Sequence, residues 1–321
     1  MILYISIPAF VLLLAVLLIS FLCYRKAFYV PPRPETPNNE ITFPEGKIYE
    51  PFHEAMTRWI KEVRAMPCQE FSVTSFDGLT LYGKYYEYKP GAPIELMLHG
   101  YRGSAERDLA GGVQRSFLAG RSVLMVDQRC CGKSEGNAIT FGINEHRDCL
   151  TWVDFMLHHF GPDVKILLTG VSMGAATVIM AGSTPLPNNV VGILADCGYS
   201  SPKEIICKVI KDMGISPALG YPFVKLGARF FGHFDLEETS PLEMIKHCTL
   251  PVIFYHGDND DFVPCHMSSD LYDACPSRKK LVIVPGAGHG LSYPVAPEHY
   301  LQTLGEFFGP DASYQDPTIF L

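Results

Sequence analysis

Lys165-Ile166-Leu167-Leu168-Thr169-Gly170-Val171-Ser172-Met173-Gly174-Ala175-Ala176 is the stretch whose reading decides the fold. A short apolar run enters a G-x-S-x-G pentapeptide, and small and apolar residues continue beyond it as a helix. That order predicts a sharp strand-to-helix turn that holds the Ser172 Oγ above a sheet. Gly170 and Gly174 suit such a turn, since side chains would crowd it. The helix after Ser172 would aim its free N–H groups where negative charge develops. A serine between glycines can equally be a plain connection, so the rest of the chain has to decide.

Working outward, buried strands alternate with helices. Ile94–Leu98 ends at His99-Gly100, Ser122–Val126 at Asp127, Val191–Ala195 at Asp196, and Val252–Tyr255 at His256-Gly257. Leu281–Val284 leads into Gly286-Ala287-Gly288-His289. Helical patterns cover Asp108–Leu118, Asn144–Phe160, Ala175–Ala181 and Ala296–Phe308. The alternation predicts an α/β fold with a mostly parallel sheet and helices on both faces. Upstream, Lys47–Met66 reads as an amphipathic helix that packs Trp59, and Asp77-Gly78 turns an antiparallel hairpin between Glu70–Thr74 and Leu79–Tyr88. The interval from Asp196 to Pro251 is too long for an ordinary connection. Its helical patterns at Pro202–Met213 and Ala218–Phe231 predict a short helical cap, about residues 199–248, over the carboxyl ends of the strands.

The N-terminus reads differently. Ile5–Cys23 carries no charged side chain and is long enough to cross a bilayer. A signal peptide is the rival reading, but there is no Lys or Arg before the apolar run and no A-x-A after it. The expected organisation is an anchor at 1–28, a Pro- and Asn-rich linker at 29–46 and one large domain at 47–321. Arg25, Lys26 and Arg33 follow the span and place that domain in the cytoplasm, with the chain single-pass in the cell membrane. A net charge of -8 without a basic block excludes nucleic acid as the main partner. The ten cysteines show no framework spacing and no C-x-x-C pair. No H-E-x-x-H, calcium loop or phosphate loop occurs, so neither metal nor cofactor is expected.

A serine hydroxyl needs a base within hydrogen-bonding reach. His289 is the candidate, because its glycine-flanked loop can bring an imidazole over the sheet edge. A carboxylate should fix the histidine tautomer. The loop from His256 to Pro264 offers Asp258, Asp260 and Asp261, and Asp196 is a topological alternative. The Met173 N–H, next after the nucleophile, is one expected oxyanion donor. Cys130-Cys131 could suggest a thiol nucleophile, but no histidine partner is implied for it.

From Glu70 to Phe308 the chain resembles the α/β-hydrolases, most closely the bacterial single-pass members of the serine aminopeptidase-like and BEM46-like branch. His256-Gly257-Asp258-Asn259-Asp260-Asp261-Phe262-Val263-Pro264 resembles the family's H-G-x-x-D-x-x-V-P loop, whose register makes Asp260 the acid. His99-Gly100-Tyr101-Arg102-Gly103 resembles its H-G-x-x-G loop, which implies Tyr101 N–H as the second oxyanion donor. His99 and His256 would then hold their loops. Asp127–Gly136 resembles D-x-R-G-x-G-x-S-x-G but has Cys130 where glycine is usual, so a differently shaped loop is expected. The resemblance implies hydrolysis of a carboxylic ester or thioester through an acyl-enzyme. The apolar cap and anchor point to a small-molecule acyl substrate of lipid-like character. A serine aminopeptidase, another acyl-transfer enzyme on the same triad, and a catalytically silent membrane scaffold are the alternatives.

Overall fold

The computed structural model describes residues 2–31 and 40–309, with side chains from Pro8 onward. Part of the expected linker therefore lies outside the described residues. The helices are α1 (Ile2–Ala27), α2 (His53–Ala65), α3 (Ala105–Leu118), α4 (Glu145–Phe160) and α5 (Met173–Gly182) in the first half. They continue as α6 (Pro202–Asp212), α7 (Pro217–Phe231), α8 (Pro241–Ile245), α9 (His266–Ala274), α10 (Ser292–Val295) and α11 (Pro297–Phe308). The strands are β1 (Gln69–Thr74), β2 (Thr80–Tyr86), β3 (Ile94–Leu98), β4 (Ser122–Val126), β5 (Ile166–Val171), β6 (Val190–Asp196), β7 (Val252–Gly257) and β8 (Lys279–Val284).

One sheet carries all eight in the order β1-β2-β4-β3-β5-β6-β7-β8. The β1–β2 and β2–β4 pairs are antiparallel, and the remaining pairs are parallel. Alternate strand residues choose opposite faces. Leu96, Leu168 and Ile193 pack toward α4 and α5, while Met97, Leu167 and Leu194 face α2, α3 and α11. Covering both faces explains why the central strands read as unbroken apolar runs. The connection from β3 runs outward to β4, whereas β5 returns to the other side of β3. At that switch the loops after β3 and β5 leave the sheet side by side, with Leu98 in register with Gly170.

One charge sits inside this apolar sheet. Glu95, fully buried in β3, accepts from Arg115 at 2.6 Å, from Arg121 at 3.0 Å and from Thr169 Oγ1 at 3.1 Å. Burial opposes the charge, and the two guanidinium groups outweigh it and lower the Glu95 carboxyl. Glu95→Ala would strand both cations beside the sheet, so it is expected to cost about 3–5 kcal/mol in a denaturant titration.

The cap contains the two expected helices, with α8 added after them. Ser201 and Ser240 each precede a proline and cap a helix, accepting from Glu204 N–H at 3.1 Å and Glu243 N–H at 3.2 Å. The sequence reading also lacks α9 and α10, which are too short to print a helical period. The end of the expected anchor and the start of the expected linker are packed on the body. Phe28 and Val30 are buried, and Tyr29 bridges to Ala138, because Phe28 fills a gap between Phe141 and Phe234. Pro8–Ala27 of α1, 20 residues, is long and apolar enough to cross a membrane.

Candidate active site

The turn after β5 is as tight as its glycines imply. A Cβ on Gly170 would lie 2.2 Å from the Gly174 backbone, and one on Gly174 would lie 2.1 Å from the Leu98 carbonyl oxygen. Ser172 sits at φ 57° and ψ -119°, a conformation that L-residues resist. Its own N–H donates to the Asp196 carbonyl at 2.8 Å, which fixes the bend to the neighbouring strand.

His289 reaches that serine from the loop after β8. Its Nε2 lies 2.9 Å from Ser172 Oγ and its Nδ1 lies 2.7 Å from Asp260 Oδ2. A carboxylate can only accept, so Nδ1 carries the proton and Nε2 is left to accept from the hydroxyl. Asp260 also accepts from Phe262 N–H at 2.9 Å and Val263 N–H at 2.8 Å. Burial alone would raise its carboxyl; hydrogen bonds from His256, His289 and the Val263 amide win and hold it well below the usual carboxylate range. The other acids of the loop do different work. Asp258 braces the turn by accepting from Gly286 N–H at 2.6 Å, and Asp261 is exposed.

The two loop histidines hold backbone. His99 Nδ1 donates to the Gly100 carbonyl at 2.8 Å, while its Nε2 accepts from Gln128 N–H at 3.0 Å. His256 lies between Ser268 Oγ at 2.6 Å and the Val263 carbonyl at 2.9 Å. It also touches Asp260 at 3.2 Å, a contact the sequence reading did not include. Gly100 packs against Ser172 and donates its N–H to Asp108 at 3.1 Å. Asp108 thus helps shape the oxyanion loop, and its only sequence signal is its place in the first turn of a Ser104-capped helix. The Tyr101 and Met173 N–H groups take no partner among the described residues. The Tyr101 side chain, left open between pocket and surface, packs on Phe141 at 5.1 Å and donates to the Ala27 carbonyl of α1 at 2.6 Å.

Cys130 stands in a closed, strained loop. Cys130 adopts φ 66°, the left-handed backbone a glycine would take, and its N–H donates to Glu135 O at 2.9 Å. Glycine's freedom is thus replaced by strain that the closed loop absorbs. Arg129 fastens the same segment with two bonds to Asp148, at 2.6 and 2.7 Å, and two to Asp77, at 3.0 and 3.2 Å. Burial pushes the Cys130 thiol up, which is the wrong direction for a nucleophile. Sequence reading missed Cys197, whose sulfur stands with the Asp260 and His289 ligand atoms inside 4.8 Å of one another. Burial raises that thiol well above its usual range, so it is a neutral wall behind the triad.

Asp196 does not reach for His289; its Oδ1 accepts from Ser292 Oγ at 2.7 Å. Burial raises its carboxyl to about 6, against the lowering by Ser292. The folded protein therefore holds a proton there that the unfolded chain has already released. Stability should fall as pH rises from about 4 to about 6, by up to about 3 kcal/mol, and then level off. Asp196→Asn should flatten that segment of the stability-versus-pH curve, which thermal unfolding across the window would read.

No family model matches the chain. Among sequence relatives it is 27% identical to the uncharacterized protein YqkD of Bacillus subtilis over 59% of this chain and 62% of that one. It is 25% identical to the lysophosphatidylserine lipase ABHD12 of Danio rerio over 62% of this chain and 52% of that one. The chain thus spans less than two thirds of either relative. Among solved structures, the Pyrococcus furiosus esterase Pf2001 superimposes with a TM-score of 0.65 at 21% identity, covering 87% of this chain and 97% of the esterase. Est1E of Butyrivibrio proteoclasticus gives 0.55 at 19% identity, covering 73% and 99%. The parallel sheet, the strand order and these superpositions agree: the chain has the α/β-hydrolase fold.

Proposed function

We propose that the chain is a membrane-anchored serine hydrolase that cleaves carboxylic esters through an acyl-enzyme, within the BEM46-like branch its motifs resemble. The observation that carries this reading is the continuous Asp260–His289–Ser172 line of hydrogen bonds ending beside two unpartnered amides. Ser172 Oγ attacks the acyl carbonyl while His289 Nε2 takes the hydroxyl proton. The Tyr101 and Met173 N–H groups receive the charge that moves onto the carbonyl oxygen. Collapse of the tetrahedral intermediate expels the alkoxide, which takes the proton from His289. Water, deprotonated by the same nitrogen, then attacks the acyl-serine, and the proton returns to Ser172 as the acid leaves.

Four features favour a lipid-like acyl substrate. The buried cluster that Met173 and Tyr101 join under the cap is apolar (Tyr24, Phe28, Phe141, Tyr199, Ile205), α1 is apolar, the superimposed proteins include esterases, and one sequence relative is named as a lipase. An aminopeptidase would need a spare acid to hold a free amine, and the acids around Ser172 (Asp108, Asp196 and Asp260) are already hydrogen-bonded into the protein. A scaffold would have no use for a strained serine aligned on a base. Retention of α1 as an anchor fits the burial of Tyr24, Phe28 and Val30 in the body, and the basic residues after it favour a cytoplasmic catalytic domain. A panel of p-nitrophenyl acyl esters and aminoacyl amides, followed by lipid extracts, tests the reading. Ester turnover with an initial burst is expected; amide turnover without ester turnover would overturn it.

A further inference from the structure

The cap carries a surface that the triad does not explain. Helix α7 buries one face on the body through Tyr221, Val224 and Ala228. A second face, Gly227 and Phe231, packs on α1. A Cβ on Gly227 would lie 2.5 Å from the Ser20 carbonyl oxygen, so the two backbones approach as small residues allow within membranes. The remaining outward stripe should be polar in a water-soluble protein. It is Leu219, Pro222, Leu226 and Phe230, with Leu219 69% and Phe230 56% exposed, and Met213 and Ile215 stand exposed just ahead of it. Lys225 and Arg229 form only an edge, facing Glu237 and Asp235.

The register of α1 says what covers that stripe. Twenty helical residues are needed for a ~30 Å hydrocarbon layer. The segment of that length and apolarity, Pro8–Ala27, includes Leu22, which is itself 57% exposed, and the first charges stand at Arg25 and Lys26. Yet α1 already docks on α7 from Ser20 to Tyr24. A bilayer that contains α1 to Leu22 must therefore also contain the outer side of α7.

We infer that α7 is a membrane-insertion surface: the cap lies side-on in the leaflet next to the catalytic domain, with Leu219, Leu226 and Phe230 in the acyl-chain region. The partner is the lipid bilayer itself. This rests on the anchor reading above and goes beyond it, because an anchor on a free tether would leave the cap in water. The acyl ester would then reach Ser172 laterally, through the apolar cluster that joins Tyr24, Phe28 and Met173.

Full-length protein in phosphatidylcholine nanodiscs, with and without brominated acyl chains, tests the inference. Tryptophan is placed singly as Leu219→Trp, Phe230→Trp or Val191→Trp, and the unsubstituted protein serves as the blank for its two native tryptophans. Val191 is exposed near the start of β6, at the end of the sheet away from Ser172. The added signal at 219 and 230 should fall by more than about half in brominated discs, and that at 191 should not change. Equal quenching at all three positions in disc-bound protein would overturn the inference while leaving the anchor reading in place. Protein that fails to co-elute with the discs would overturn both.

Discussion

Replacing Ser172 with alanine is expected to abolish covalent labelling by a fluorophosphonate and to lower ester turnover by about 10⁶-fold, leaving only what binding and the oxyanion donors provide. The size of the effect follows from the geometry. One oxygen stands 2.9 Å from a base whose other nitrogen is fixed by a buried carboxylate at 2.7 Å, and no second nucleophile is in place. Cys130 and Cys197 are both buried with raised thiols. His289→Ala should cost about as much, and the double variant hardly more, because the pair acts as a unit. Asp260→Asn should cost about 10⁴-fold, because the amide can no longer hold the Nδ1–H tautomer. Ser172→Gly adds a stability readout. At φ 57° glycine is unstrained, so the inactive variant should resist denaturation better than wild type by about 1 kcal/mol. Labelling of folded Ser172→Ala protein at the wild-type rate would remove Ser172 from the chemistry.

Much of this was legible because the residues concerned are constrained locally. Gly170 and Gly174 announce the elbow, since no side chain fits there, and strands buried on both faces announce themselves as apolar runs. The order serine, acid, histidine survives in one dimension although the groups meet in three. What was hidden depends on distant surfaces. The choice among Asp258, Asp260 and Asp261 is decided by which carboxylate lies over His289, and register alone supplies that only through the family resemblance. Asp108 under Gly100, Cys197 behind the triad and the third contact of His256 carry no motif. Cys130 shows the converse: an unfavourable residue is held at positive φ because Arg129 and Glu135 close the segment from both sides. The tail of the anchor was hidden for a related reason. Phe28 reads as the end of the apolar segment and Tyr29-Val30 as the start of a linker, and only the packing between Phe141 and Phe234 shows where Phe28 belongs.

That misplacement leads to the second large expectation: removing residues 1–30 should disable the enzyme as well as release it from the membrane. The excised piece would take with it Tyr24, Phe28 and Val30, all buried, at roughly 1.5–3 kcal/mol each for the lost burial. It would also take the carbonyl groups that hold the oxyanion loop. Tyr101 Oη donates to Ala27 O at 2.6 Å, and Arg102 Nη2 donates to Lys26 O and Tyr29 O, each at 3.0 Å. Against a typical total stability of about 5–15 kcal/mol, losses of this size should loosen the cap and free the Tyr101 amide from its position. Phe28→Ala is the sharper variant, because it leaves the apolar helix and every carbonyl intact. Loss of its edge-to-face packing on Phe141 and Phe234 should cost about 3–5 kcal/mol in detergent-solubilised protein. Fluorophosphonate labelling should then slow well below the melting transition, before the core sheet unfolds. If the truncated domain melts and labels like the full chain, the N-terminal segment is only a tether and its contacts with the cap contribute nothing to the site.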